Sequence, residues 1–239
     1  MLNKVFMKMG FAFIESGVYV NQFNASSLHD LKKFYDLELE IDQGNDFRKR
    51  AYLKLQWQRK TKQFYPTKNQ NYFQTADSNT VDGGKIRQFK VMDKKILNLA
   101  IMQSLIHKNL AMINEYEPLL PYDTLTIGMH FIRYIVNQNN ASFSSPDWLH
   151  KDDEPLVFIH LVELSRTALG GDNLIADDTK KIMHVIRLEN DMDTLVLNKA
   201  VYHAVTPLGS RQGTAIRDVL LFTIEPHYTQ IETTQDKAA

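Results

Sequence analysis

His150 and Asp152 stand as His-X-Asp in the segment WLHKDDEP. In an extended chain, positions i and i+2 point to the same side, so both side chains can reach one ion. His203, in a later strand-like run, is the candidate third ligand. Two imidazoles and one carboxylate on one face of an Fe(II) octahedron leave the opposite positions open for a cosubstrate and O2. The same set also suits Zn(II) in a hydrolase, and His-X-Asp is a common pair, so spacing does not choose the metal. Arg217 bears on that choice. It opens the apolar run IRDVLLFTIE, and there a guanidinium must meet an anion or water. The distal carboxylate of 2-oxoglutarate fits that need, and an ion pair with Asp218 is the structural alternative.

The remaining histidines carry less information. His130 shares a strand face with Thr126 and Tyr134, which either lines a cosubstrate pocket or faces solvent. His160, inside PLVFIHLVEL, reads as a hydrogen-bonded core histidine. His29, His107, His184 and His227 have the character of surface or helix residues and receive no role. Arg48, Arg50 and Tyr52 alternate in FRKRAYLKLQW and share one face if the segment is extended, as on a solvated edge strand.

The elements that must position these residues follow from composition and pattern. With 239 residues, 44% of them hydrophobic, the chain can bury one sizeable core, and a single domain over 1–239 is expected. Lys plus Arg (28) balances Asp plus Glu (28), which draws the protein to neither nucleic acid nor anionic lipid and favours a small partner. The absence of cysteine excludes disulfides and thiolate ligands, leaving His and carboxylates for any metal. The N-terminal apolar run is broken by Lys8 and Glu15, too short for a membrane span, and the expected location is the cytoplasm. Asn24-Ala25-Ser26 and Asn140-Ala141-Ser142 match the glycosylation sequon by chance on this reading.

Ser27 is placed to cap a helix carrying Leu28, Leu31 and Tyr35, and Asp93 a longer one running to about Glu115. Beyond Pro118 the character changes. TLTIGMHFIRYIV, PLVFIHLVEL, TLVLNKAVYHAV and IRDVLLFTIE read as strands. Ser144-Ser145-Pro146-Asp147, Gly170-Gly171 and Pro207-Leu208-Gly209 are turn chemistry between them. Helices first and dense strands afterwards predict an α+β fold in which helices in 1–120 buttress a sandwich or barrel in 121–228.

Five motifs in order, DGGKIRQF (82–89), SFSSPDWLHKDDEPLVFIHL (142–161), GGDNLIA (170–176), YHAVTPLG (202–209) and IRDVLLFT (216–223), carry a family resemblance. From about Arg48 onward the chain resembles the bacterial Fe(II)- and 2-oxoglutarate-dependent free amino acid hydroxylases typified by L-isoleucine 4-hydroxylase. The resemblance implies a double-stranded β-helix, or jelly-roll, core, with His150, Asp152 and His203 on iron and Arg217 on the 2-oxoglutarate tail; Tyr134 and His130 are cosubstrate candidates from their shared strand face alone. It implies hydroxylation of a free aliphatic amino acid with release of succinate and CO2, and ascorbate as activator. For the substrate carboxylate the first candidate is Arg87, after the Gly83-Gly84 turn, with Arg50 and Arg133 in reserve and Trp148 as part of an apolar wall. An oxygenase acting on a carrier-bound or macromolecular substrate, a zinc hydrolase and a non-catalytic jelly-roll protein are the alternatives.

Overall fold

The long apolar runs behave as strands buried on both faces. A computed structural model describes residues 4–42, 45–77, 83–143 and 149–227. In chain order its elements are α1 (Lys4–Met9), β1 (Phe11–Ile14), α2 (Ala25–Glu38), β2 (Glu40–Asp42), β3 (Asn45–Gln58) and β4 (Gln63–Pro66). A small hairpin of β5 (Tyr72–Phe73) and β6 (Ile86–Arg87) precedes α3 (Ala100–Ile113) and β7 (Thr124–Val136). The rest is strand: β8 (Leu156–Leu164), β9 (Ala168–Gly170), β10 (Asn173–Ala176), β11 (Ile182–Ile186), β12 (Thr194–Asn198), β13 (Tyr202–Val205), β14 (Leu208–Ser210) and β15 (Ala215–Pro226).

An eight-stranded antiparallel sheet, ordered β1-β12-β8-β15-β7-β3-β2 with β4 on β3, is the scaffold. Because side chains alternate across a strand, each long strand serves two cores. Phe131, Phe158 and Phe222 point to the side packed by Leu31 and Tyr35 of α2 and Ile101, Met102 and Leu105 of α3. Ile132, Ile159 and Val219 point to the other side, against Ile175 of β10 and Leu208 of β14. That second side faces the minor sheet β11-β10-β13, completing an α+β jelly roll buttressed by helices.

Several expectations are corrected. Residues 1–120 are not a helical layer set apart from a strand core in 121–228. β1 pairs with β12, and β3 pairs with β7 in the middle of the main sheet, so β3 is not a solvated edge. Its Ala51, Leu53, Leu55 and Trp57 are buried toward the helices, and that apolar face is what holds it inside. The stretch from Asp93 is two elements. Asp93 caps a short 3-10 turn, accepting from Lys95 N at 2.9 Å, and Leu99 is then extended (ψ 133°), which lets both Ile96 and the Ile101–Met102 pair be fully buried. Ser27 lies inside α2, and its Oγ instead accepts from Ile101 N at 2.7 Å, satisfying a free donor at the start of α3.

Candidate metal centre and adjoining cavity

His150 and His203 meet through an isolated antiparallel bridge in which each backbone N–H donates to the other's carbonyl, at 3.1 and 2.9 Å. Their rings lie 4.3 Å apart, and Asp152, two residues on, turns its carboxylate to the same point. One ligand atom from each of the three falls within 4.8 Å of the others. His203 Nε2 is 3.0 Å from Asp152 Oδ2, yet it is buried with no hydrogen bond of acceptable geometry. A buried nitrogen beside a carboxylate but out of line with it is what ligand lone pairs converging on a shared cation leave behind. Burial would raise the Asp152 carboxyl, but the His203 and His150 rings hold it below the ordinary carboxylate range. Two imidazole nitrogens and one carboxylate, with no thiolate in the chain, fit Fe(II) held on one face.

Asp153 is turned away to the β5–β6 side, accepting from Thr75 N at 2.7 Å and from Thr75 Oγ1 at 2.8 Å. The carboxylate turned toward the two histidines is therefore Asp152.

The triad opens into a cavity floored by β3, β7 and β15, whose register orders its contents. At one end Arg48, Tyr134 and Arg217 lie side by side on adjacent strands. Arg217 is 3% exposed and its Nη2 has no partner among the described residues. Burial presses its guanidinium below the usual arginine range. Gly171 makes room for this stem: at φ +76°, an added Cβ would stand 3.2 Å from Arg217 Cδ. Asp218, the alternative partner, faces the helices and takes Arg133 Nε and Nη2 at 2.8 and 2.7 Å. Arg133 also donates to Asp36 of α2 at 2.6 Å. The expectation that Arg133 contacts substrate is thus corrected, because strand alternation puts it on the other face of β7 from His130 and Tyr134.

Four residues along β7 from Tyr134, His130 is packed between Tyr52 and Tyr72, with ring centroids at 4.4 and 4.5 Å. It is 2% exposed and neither ring nitrogen has a partner among the described residues. Burial first, then the Arg50 and Arg87 charges, hold it well below the ordinary histidine range, so it is neutral. Arg50 lies over Phe89 at 4.5 Å, 3.7 Å from Asp42, with Nε and Nη1 lacking a hydrogen bond among the described residues. Arg87 lies over Tyr72 at 4.9 Å and donates to Gln74 Oε1 at 2.6 Å. His130 belongs with these residues at the end away from Arg217. Trp148 and the turn at 144–147 lie outside the described residues.

Glu154 and Tyr72 also line the cavity. Glu154 was legible, since it continues the i, i+2 series of His150 and Asp152; burial and the Asp152 carboxylate push its carboxyl up to about 8. Tyr72 carried no signal, for its strand is two residues long. His160 is the core histidine expected, bonded to Asn109 at 3.0 Å and Thr194 at 2.7 Å.

A family model described as 2OG-Fe dioxygenase matches residues 32–223. The 3(1)-hydroxy-L-isoleucine 4-dioxygenase of Pantoea ananatis is 38% identical, aligned over 91% of this chain and 92% of its own. The L-isoleucine-4-hydroxylase of Bacillus thuringiensis is 36% identical over 91% of each. A crystal structure of IDO from Bacillus thuringiensis superposes with a TM-score of 0.83 at 35% identity, covering 94% of this chain and 97% of that one. The likeness thus reaches well upstream of Arg48, as the pairing of β1 into the main sheet requires. A match across most of the jelly roll, joined to a His-Asp-His cluster suited to iron, shows that this chain is an enzyme of the 2OG-Fe dioxygenase family.

Proposed function

We propose that this enzyme hydroxylates a free aliphatic L-amino acid, isoleucine, leucine or methionine being the favoured substrates. 2-Oxoglutarate and O2 are consumed; one oxygen atom enters succinate, CO2 leaves, and the other becomes the hydroxyl on carbon. The observation that carries this reading is one cavity holding the triad with a cation buried at each end, Arg217 at one and Arg50, beside the half-buried Arg87, at the other. Two separate anions are thereby accommodated, matching a dicarboxylate cosubstrate and an amino acid. The names of the two curated relatives point the same way.

Iron, when bound, supplies the O2 activation and C–H chemistry that protein side chains cannot. His150, Asp152 and His203 hold it, each imidazole neutral and the carboxylate ionised. Arg217 pairs with the distal carboxylate of 2-oxoglutarate beside Tyr134, and the buried stem on Gly171 fixes its direction. Arg87 and Arg50 offer the substrate carboxylate its cation, and His130, neutral, offers one donor and one acceptor beside them. Ile132, Val157, Ile159, Val219 and Leu221 supply an apolar wall that keeps the side chain near the metal and water out.

Ascorbate as activator and a cytoplasmic location belong to the same proposal; no helix among the described residues is long and apolar enough to cross a membrane. The test is succinate release with Fe(II), ascorbate and 2-oxoglutarate, screened against the twenty protein amino acids, with mass spectrometry for one added oxygen atom. Discrimination among aliphatic side chains should be graded, since one methylene is worth about 1–3 kcal/mol in such a pocket. If no amino acid stimulates succinate release, the substrate is not a free protein amino acid.

A further inference from the structure

Glu154 has no part in the roles assigned so far. It is 7% exposed, lines the cavity, and accepts a hydrogen bond from Tyr72 Oη at 3.3 Å. It lies outside the cluster of atoms that can share the metal. Two further carboxylates, Asp152 and Asp153, immediately precede it in the chain, and Asp152 lines the same cavity. A buried carboxylate among carboxylates is a poor arrangement unless a cation joins it.

The groups around it say which cation. The Tyr72 hydroxyl donates to Glu154, Arg87 lies over the Tyr72 ring at 4.9 Å, and the neighbouring Phe89 ring, 6.1 Å away, carries Arg50 at 4.5 Å. Arg50 is 9% exposed, with two guanidinium nitrogens that have no hydrogen-bond partner among the described residues. A buried acid and a buried base therefore flank one tyrosine without pairing with each other. A molecule carrying an ammonium and a carboxylate on one carbon offers each of them its partner at once.

We propose that Glu154 accepts the substrate's ammonium group and, with Arg50 on the carboxylate across Tyr72, selects the free α-amino acid zwitterion over N-acylated or deaminated molecules. This rests on the free amino acid reading and adds to it the group that enforces the word free. An amide or a hydrogen in place of the ammonium leaves Glu154 buried without a cation, and a charge-assisted bond of this kind is worth about one to two decades in affinity.

Titration calorimetry of the full chain loaded with Mn(II) and 2-oxoglutarate tests this without turnover. The ligands are L-isoleucine, its N-acetyl derivative and the deaminated acid of the same carbon skeleton. Wild type should bind the amino acid about 10- to 100-fold more tightly than either analogue. Glu154→Gln should bring amino acid and deaminated acid within a few-fold, the loss falling on the amino acid, while Glu154→Asp keeps part of the preference. Equal affinity of wild type for amino acid and deaminated acid overturns the proposal without recourse to any variant. So does a full preference in folded Glu154→Gln, and either result leaves the amino acid reading standing. Failure of wild type to bind any of isoleucine, leucine and methionine overturns both.

Discussion

Replacing Arg217 by Met should push stability and cosubstrate affinity in opposite directions. The guanidinium is 3% exposed, its Nη2 is unpartnered among the described residues, and its stem rests on Gly171. A buried donor left unsatisfied costs about 1–3 kcal/mol, and Met keeps most of the stem volume while removing that donor. At about 2–4 °C per kcal/mol for a chain of this size, the variant alone should melt between about 2 and 12 °C higher than wild type. With 2-oxoglutarate the advantage narrows by about 2.3 kcal/mol, which reverses the order wherever the gain from Met is smaller than that. Losing the charge-assisted pair costs about 1.5–3 kcal/mol, a 10- to 150-fold rise in Kd. At a concentration of 100 times the wild-type Kd, wild type gains about 2.7 kcal/mol from the ligand, whereas a variant weakened 100-fold gains about 0.4. Thermal melts of Mn(II)-loaded protein with and without 2-oxoglutarate read both effects in one experiment. If Arg217→Met melts lower on its own and keeps the full 2-oxoglutarate shift, Arg217 is a structural cation and the assignment is wrong.

Asp152→Ala should abolish succinate formation and weaken metal binding by calorimetry with the fold intact; near-wild-type succinate release would remove Asp152 from the ligand set. Asp218→Ala strips the buried Arg133 of its bidentate partner and should cost about 3 kcal/mol in urea unfolding while leaving the 2-oxoglutarate KM unchanged. A raised KM there would mean that Asp218 acts on Arg217 after all. His160 is fully buried, and burial holds its ring at about 3, below the unfolded value near 6.5. Its contribution is therefore complete above about pH 6.5 and is lost as pH falls toward 3, because only the unfolded chain takes up the proton. Between pH 7.5 and 5 that amounts to about 2 kcal/mol, and His160→Gln should flatten the pH dependence of stability by that much; equal slopes in the two proteins would contradict it.

Chemistry that depends on neighbours in the chain could be read from the sequence. His150 and Asp152 are two apart, a spacing that puts both on one side of an extended chain. The two-faced apolar runs that became β7, β8 and β15, and the glycines of the Gly170-Gly171 turn at φ +69° and +76°, also announce themselves locally. Everything that depends on which strand lies beside which had to wait for the fold. The bridge bringing His203 to His150, Ser27 capping a helix it does not belong to, and β3 lying inside the sheet join residues far apart in the chain. So does the sorting of the arginines: Arg133 and Arg217 sit on neighbouring strands in similar sequence surroundings, yet one faces α2 and the other the cavity. Alternation fixes only that successive residues face opposite ways. Which face becomes the helix-packed core and which the cavity is settled by the sum of burial on each side of the sheet, a quantity that no single segment contains.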